Sequence, residues 1–245
     1  MRYENLVLSL VHKIRSHHSR IGGKKLYNWI KPDLQQAGIK MGRDKFFELL
    51  AKEALLIKRR RKYVSTTDSY HRFRVYKNLL KRKPLTRAHQ GWVSDITYIR
   101  TGKDFVYLFL ITDAFSRKIV GWNLSESLKI GGAISALKMA VKQCPKTREV
   151  IHHSDRGIQY CSKDYVKLLK KARIQISMTE ENHCYENATA ERLNGILKQE
   201  YGLDETFKSE SRALKAVKEA VWLYNMERPH WSLNLATPQQ IHIAA

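Results

Sequence analysis

Three acidic residues stand where a metal-dependent phosphoryl-transfer site needs them: Asp95, Asp155 and Glu191. Each sits in distinctive local text: Trp-Val-Ser-Asp-Ile-Thr-Tyr around Asp95, His-His-Ser-Asp-Arg-Gly around Asp155, and Glu-Asn-Ala-Thr-Ala-Glu-Arg around Glu191. Thirty-five residues lie between Asp155 and Glu191. Carboxylates held together repel one another unless cations neutralise them. An all-oxygen set of this kind selects a hard cation, magnesium first, with manganese as a substitute. Three carboxylates can hold two such ions about 4 Å apart, one activating an attacking water or 3′-hydroxyl and the other stabilising the leaving oxygen of a phosphodiester. Lys198 follows Glu191 by seven residues, about two helical turns, and so shares its face. An ammonium there suits a phosphate near the cleaved bond.

The elements that must position these residues follow from the hydrophobic pattern. Helical spacing covers 4–17, 24–37 with Pro32 as an expected kink or break, and 43–54. Gly91–Arg100 alternates as a strand, 105–112 is nearly continuous apolar, and 118–124 makes a third strand. A helix over 130–143, a strand at 150–153, a helix over 163–172 and a strand at 174–178 follow, then a polar loop at 179–186. Helices are expected over 187–201 and 209–225. Asp95 thus lies within the first strand, Asp155 just past the fourth, and Glu191 and Lys198 on one helix. The alternation of strands and helices is that of an α/β domain. In such sheets, sites form where strand ends meet.

The net charge of +22 over 245 residues points to a polyanionic partner, with nucleic acid first and a basic ribosomal-type or merely soluble protein as the bland alternative. The charge is uneven. Residues 1–90 hold 23 Lys and Arg against 6 Asp and Glu, whereas residues 91–245 hold 22 against 17. Short basic helices in the first third resemble a helix-turn-helix module, although any small three-helix domain shares that pattern. We therefore expect a helical DNA-binding region at 1–57, a basic linker at 58–90 and a catalytic core at 91–245. Within the linker, Lys58, Arg59, Arg60, Arg61 and Lys62, then Lys81, Arg82 and Lys83, are expected along DNA phosphates; a solvated linker is the alternative.

Cys144, Cys161 and Cys184 form no C-x-x-C pair, so neither a zinc site nor a disulfide framework is signalled, and reduced thiols in the cytoplasm are expected. No apolar run reaches the length of a membrane span.

These stretches resemble the second-reading-frame (OrfB) product of the copy-out, paste-in bacterial insertion sequences, within the DDE transposase and retroviral integrase superfamily. The resemblance covers about 90–240 and rests on Trp92…Asp95-Ile96-Thr97-Tyr98, Asp113…Ser116-Arg117…Val120-Gly121-Trp122, His153-Ser154-Asp155-Arg156-Gly157, Asn187-Ala188…Glu191, Lys198, and the tail Tyr224-Asn225…Arg228-Pro229-His230…Thr237-Pro238. It implies an RNase H-like core with a five-stranded mixed sheet and flanking helices, preceded by a small helix-turn-helix region. It also implies Asp95, Asp155 and Glu191 as ligands for two magnesium ions, and strand cleavage and joining at the element's ends.

Arg156, Asn187 and Arg192, beside the acidic residues, are expected DNA contacts. The expected partners are double-stranded DNA, as terminal inverted repeats and as target, and further copies of the chain on that DNA. Family members usually act as a frameshift fusion, so an upstream-frame partner or fusion is expected as well. The location expected is the bacterial cytoplasm, on the nucleoid. A nuclease that cuts without joining and a non-catalytic DNA-binding regulator are the rival readings.

Overall fold

The computed structural model describes residues 2–58, 74–81, 83–102, 104–180 and 188–244. They fall into two compact units, one holding the described part of 1–63 with Gln199–Tyr201 and the other holding the rest.

The first unit contains α1 (Arg2–Arg15), α2 (Gly23–Gln36) and α3 (Arg43–Lys52). Their apolar stripes converge on a core of Val7, Val11, Ile21, Leu26, Ile30, Leu34, Phe46, Leu49 and Leu50. Pro32 neither ends nor splits α2. It lies on the exposed face, and the burial of Leu26, Ile30 and Leu34 around it holds the helix together at the cost of one backbone hydrogen bond.

The second unit is built on β1 (Gly91–Thr101), β2 (Asp104–Asp113), β3 (Ile119–Ser125), β4 (Ile151–Ser154) and β5 (Gln175–Met178), in the order β3-β2-β1-β4-β5. The first three strands form an antiparallel meander, and β4 and β5 join in parallel. One face of the sheet presents Trp92, Phe109, Ile111 and Val120 to α4 (Ile130–Gln143) and α6 (Lys163–Lys171), burying Leu137, Tyr165 and Leu169. A side chain at Gly121 would meet the Ala136 carbonyl at 2.2 Å, so this glycine lets α4 lie close on β3. That accounts for the Val-Gly-Trp text by packing. Trp92 is fully buried, while Trp122 stays half-exposed.

Later elements are α7 (Ala188–Tyr201), α8 (Glu210–Met226) and α9 (Pro238–Ile243), with a short α5 (Ile158–Cys161) after β4. The sequence reading had not placed α5 or α9. For α9 the signal was present: Thr237 and Gln240 form a reciprocal capping box with Pro238 in the first turn.

Residues 78–81 and 83–90 are fastened to this unit. Leu79 N–H donates to Ser177 Oγ at 2.8 Å, and Asn78 N–H donates to Glu180. Leu80 and Leu85 lie against Gly91, and His89 N–H donates to Asp113 at 2.7 Å. No described helix is long and apolar enough to cross a membrane.

Candidate active site

The register of the sheet brings the two aspartates side by side. Ser94 of β1 pairs with Ser154 of β4 in parallel, so Asp95 continues along β1 while Asp155 leaves the end of β4, near enough for its charge to act on Asp95. Asp95 lies on the face opposite Trp92 and Ser94, because neighbouring strand residues alternate.

Helix α7 reaches that face. The Asn194 side-chain amide donates to Asp95 Oδ2 at 2.6 Å. Asn194 stands three residues after Glu191 and four before Lys198, so all three occupy one helical stripe.

The electrostatics agree with this convergence. Burial, then the neighbouring Asp155 carboxylate, push the Asp95 carboxyl up to about 7, and Glu191 adds to the rise. The hydrogen bonds from Asn194 and the Ile96 backbone pull the other way. Burial lowers the Lys198 ammonium below its usual range, opposed by the charges of Asp95 and Asp204. Lys198 therefore shares a field with Asp95.

Asp155 sits in a tight turn and accepts from the Gly157 N–H at 2.9 Å. A Cβ at Gly157 would press on that same oxygen at 2.9 Å, so glycine keeps the carboxylate's flank open. Arg156 turns away from the carboxylate, donating from Nε to the Thr179 carbonyl at 2.8 Å and from Nη2 to that of Glu180. Glu191 and Arg192 are exposed on the first turns of α7.

Among the other expected contacts, Lys58 and Lys83 are exposed, and Lys81 Nζ lies 3.6 Å from Glu180. Arg59, Arg60, Arg61, Lys62, Arg82 and Asn187 lie outside the described residues.

The donor set suits a hard divalent cation. It is all oxygen, the Asp155 and Glu191 charges raise the proton affinity of Asp95, and Asn194 Oδ1 is buried with no hydrogen-bond partner. Among the described residues, no three His, Cys, Asp or Glu side chains are drawn into a ligand cluster. The paired histidines next to the site have structural partners instead. His152 Nε2 meets Ser94 Oγ at 2.7 Å and the Tyr165 hydroxyl at 2.9 Å, and His153 Nδ1 meets Ser177 Oγ at 2.8 Å. Burial drops His152 to about 3, so it is a neutral cross-link between strands.

Sequence reasoning missed Asn194. Its signal was the Glu-x-x-Asn spacing on a helix already assigned to the site.

Two models of the integrase core domain match the chain, over residues 86–184 and 172–238. The insertion element IS600 uncharacterized 31 kDa protein of Shigella sonnei is 33% identical over 211 residues, covering 85% of this chain and 78% of that protein. The chain belongs to the IS3-group integrase-core transposases. Transposase InsF for insertion sequence IS3A of Escherichia coli (strain K12) is 37% identical over 152 residues, which is 62% of this chain and 53% of InsF. The chain thus aligns with about half the length of that relative.

Among solved structures, the simian T-cell lymphotropic virus intasome in complex with PP2A regulatory subunit B56 gamma gives a TM-score of 0.54 at 19% identity, over 94% of this chain and 73% of that one. The magnesium complex of the HTLV-2 integrase catalytic core domain (trimeric form) gives 0.50 at 21%, over 64% and 97%. These likenesses establish the fold of the transposase as that of an integrase core. Its enzyme class is the DDE-type polynucleotidyl transferases.

Proposed function

We propose that this transposase cleaves and joins DNA strands at the ends of its own insertion sequence, with Asp95, Asp155 and Glu191 as the ligands of two magnesium ions. The observation that carries the reading is the Asn194–Asp95 hydrogen bond, which fastens the helix of Glu191 to the strand that bears Asp95. When bound, the ions would supply charge neutralisation at the phosphodiester and lower the cost of forming the attacking oxyanion.

The chain's own residues do the rest. The burial and crowding that lift Asp95 to about 7 would be relieved by a bound cation, which favours the carboxylate over its protonated form. Lys198 offers a point charge to the phosphate, and Asn194 holds the orientation of the Asp95 carboxylate. No side chain in this arrangement has to act as a covalent nucleophile; the contribution is positioning and charge compensation.

The first unit and the basic residues Lys58–Lys62 and Lys81–Lys83 serve to grip element-end DNA, with α2 and α3 as the reading pair. Arg156, Asn187 and Arg192 are proposed as further contacts, Arg156 through its turn rather than its already engaged guanidinium. The partners are inverted-repeat and target DNA, further copies of the chain on that DNA, and an upstream-frame product, at the bacterial nucleoid.

The test is a strand-transfer assay with pre-cut ends and magnesium or manganese. Joined products that vanish in Asp95→Asn, Asp155→Asn and Glu191→Gln, with DNA binding retained, are expected. Cut products alone would make the protein a nuclease, and a gel shift without either would make it a DNA-binding regulator.

A further inference from the structure

The turn between β2 and β3 is held far more firmly than a simple connection requires. Arg117 adopts φ +65, a left-handed conformation that an L side chain rarely takes and that persists only where the surroundings dictate it. Its N–H donates to the Asp113 carbonyl at 2.9 Å, and Asp113 N–H donates to the Lys118 carbonyl at 2.8 Å. The buried Asp113 carboxylate accepts from Ser116 N–H at 2.7 Å and Ser116 Oγ at 2.8 Å. From α8, the Tyr224 hydroxyl donates to the Arg117 carbonyl at 3.0 Å, and the Asn225 amide satisfies both backbone groups of Ile119. All of this fixes where one side chain points. Arg117 Nη1 donates to Thr189 Oγ1 at 3.2 Å, in the first turn of α7 and two residues before Glu191.

We propose that Arg117 is a positioning residue whose guanidinium anchors the start of the Glu191 helix against the sheet. Thr189 and Asn194 bracket Glu191 on the chain. Separated by five residues, or about 140° around the helix, they lie on different sides of it. One tether would leave the helix free to roll; two fix its rotation and hence the direction of the Glu191 carboxylate. This also gives a purpose to two signature stretches that contribute no ligand: Asp113…Ser116-Arg117 makes the strained turn, and Tyr224-Asn225 clamps it. The proposal rests on reading Glu191 as a member of the acidic triad.

The experiment compares full-length wild type with Arg117→Gln, Arg117→Lys, Arg117→Gly, Thr189→Val and the double Arg117→Gln/Thr189→Val. It measures amide hydrogen exchange across residues 188–195 and across β1 and β2, manganese affinity by paramagnetic resonance, and single-turnover joining at saturating DNA. Arg117→Gln and Thr189→Val should speed exchange in the first turns of α7 while β1 and β2 stay protected. Each should lower manganese affinity and joining together by about tenfold, the low end of what outer-sphere support is worth.

The double variant should be no worse than Arg117→Gln, and Arg117→Lys should recover part of the loss. Arg117→Gly relieves the left-handed backbone, keeps the turn folded and should still match Arg117→Gln. Wild-type joining by Arg117→Gly, unchanged exchange in Thr189→Val, additive losses in the double variant, or a loss of DNA affinity with manganese affinity intact would each overturn the proposal. Joining by Glu191→Gln at the wild-type rate would remove the triad reading itself, a result separable from the exchange data, and the proposal would fall with it.

Discussion

The side chains of Asn194 and Asp95 meet at 2.6 Å, amide to carboxylate, and so couple the third acidic residue to the first through a residue that is itself neutral. Losing this bond should cost function without removing a ligand. Asn194→Ala should slow joining by about 10- to 100-fold, the usual range for support around a metal site. Asn194→Asp should be worse, because a further carboxylate would lift Asp95 further. Single-turnover joining with pre-cut ends checks both. Equal rates for Ala, Asp and wild type would make the contact incidental.

Proton linkage at Asp95 sets the pH behaviour of the cation-free protein. An unfolded aspartate titrates near 3.9, whereas burial and Asp155 raise the folded one to about 7. Between these values the folded state binds more protons, so stability must fall as pH rises through the window. Thermal melts from pH 5 to 8 in chelator should show that decline. Asp95→Asn should flatten it and raise the melting temperature at pH 8, and magnesium should do the same for wild type. A wild-type curve that is flat in chelator would contradict the raised value.

Lys198 is half-buried and its charge is opposed by burial, so a phosphate would be a welcome partner. Lys198→Ala should weaken end-DNA binding and joining by about 10- to 100-fold, from a charged hydrogen bond worth about 1.5–3 kcal/mol. Lys198→Arg should retain part of the activity, and Lys198→Glu should be worse than Ala through repulsion of the phosphate. Indistinguishable rates for the three would reduce Lys198 to a helix residue.

Because 78–81 and 83–90 are built into the second unit, a fragment of residues 74–245 is the rational core, rather than one starting at 90. It should fold yet bind DNA more weakly than the full chain, with a shallower salt dependence, since each phosphate neutralised contributes a log–log slope of about −0.9. Titrations at several salt concentrations decide this. Matching slopes would show that the basic first third is not the DNA platform.

Much of this site was legible in the sequence because its parts announce themselves locally. The helical spacing over 187–201 puts Glu191 and Lys198 on one face, and the strand patterns at 91–100 and 150–153 put Asp95 within the first strand and Asp155 just past the fourth. What stayed hidden depends on distant partners. Nothing near Asn194 says that it will meet Asp95, ninety-nine positions earlier. Arg117 looks like an ordinary basic turn residue until Thr189 and Tyr224 lie beside it. Residues 78–90 read as a linker from their lysines, yet their backbone donors find Ser177, Glu180 and Asp113, contacts that no local pattern encodes.

The parallel pairing of β1 with β4 also bears on when the proposed site is completed. The β1-β2-β3 meander closes over short loops, but β4 reaches β1 only after α4 has crossed back, and α7 joins later still. Distant pairings of this kind form slowly. A ribosome-bound chain that has not yet emerged beyond residue 188 carries both aspartates and no Glu191. On the proposed reading of the triad, such a chain lacks one of its three ligands, and cutting and joining wait until α7 has docked on the sheet.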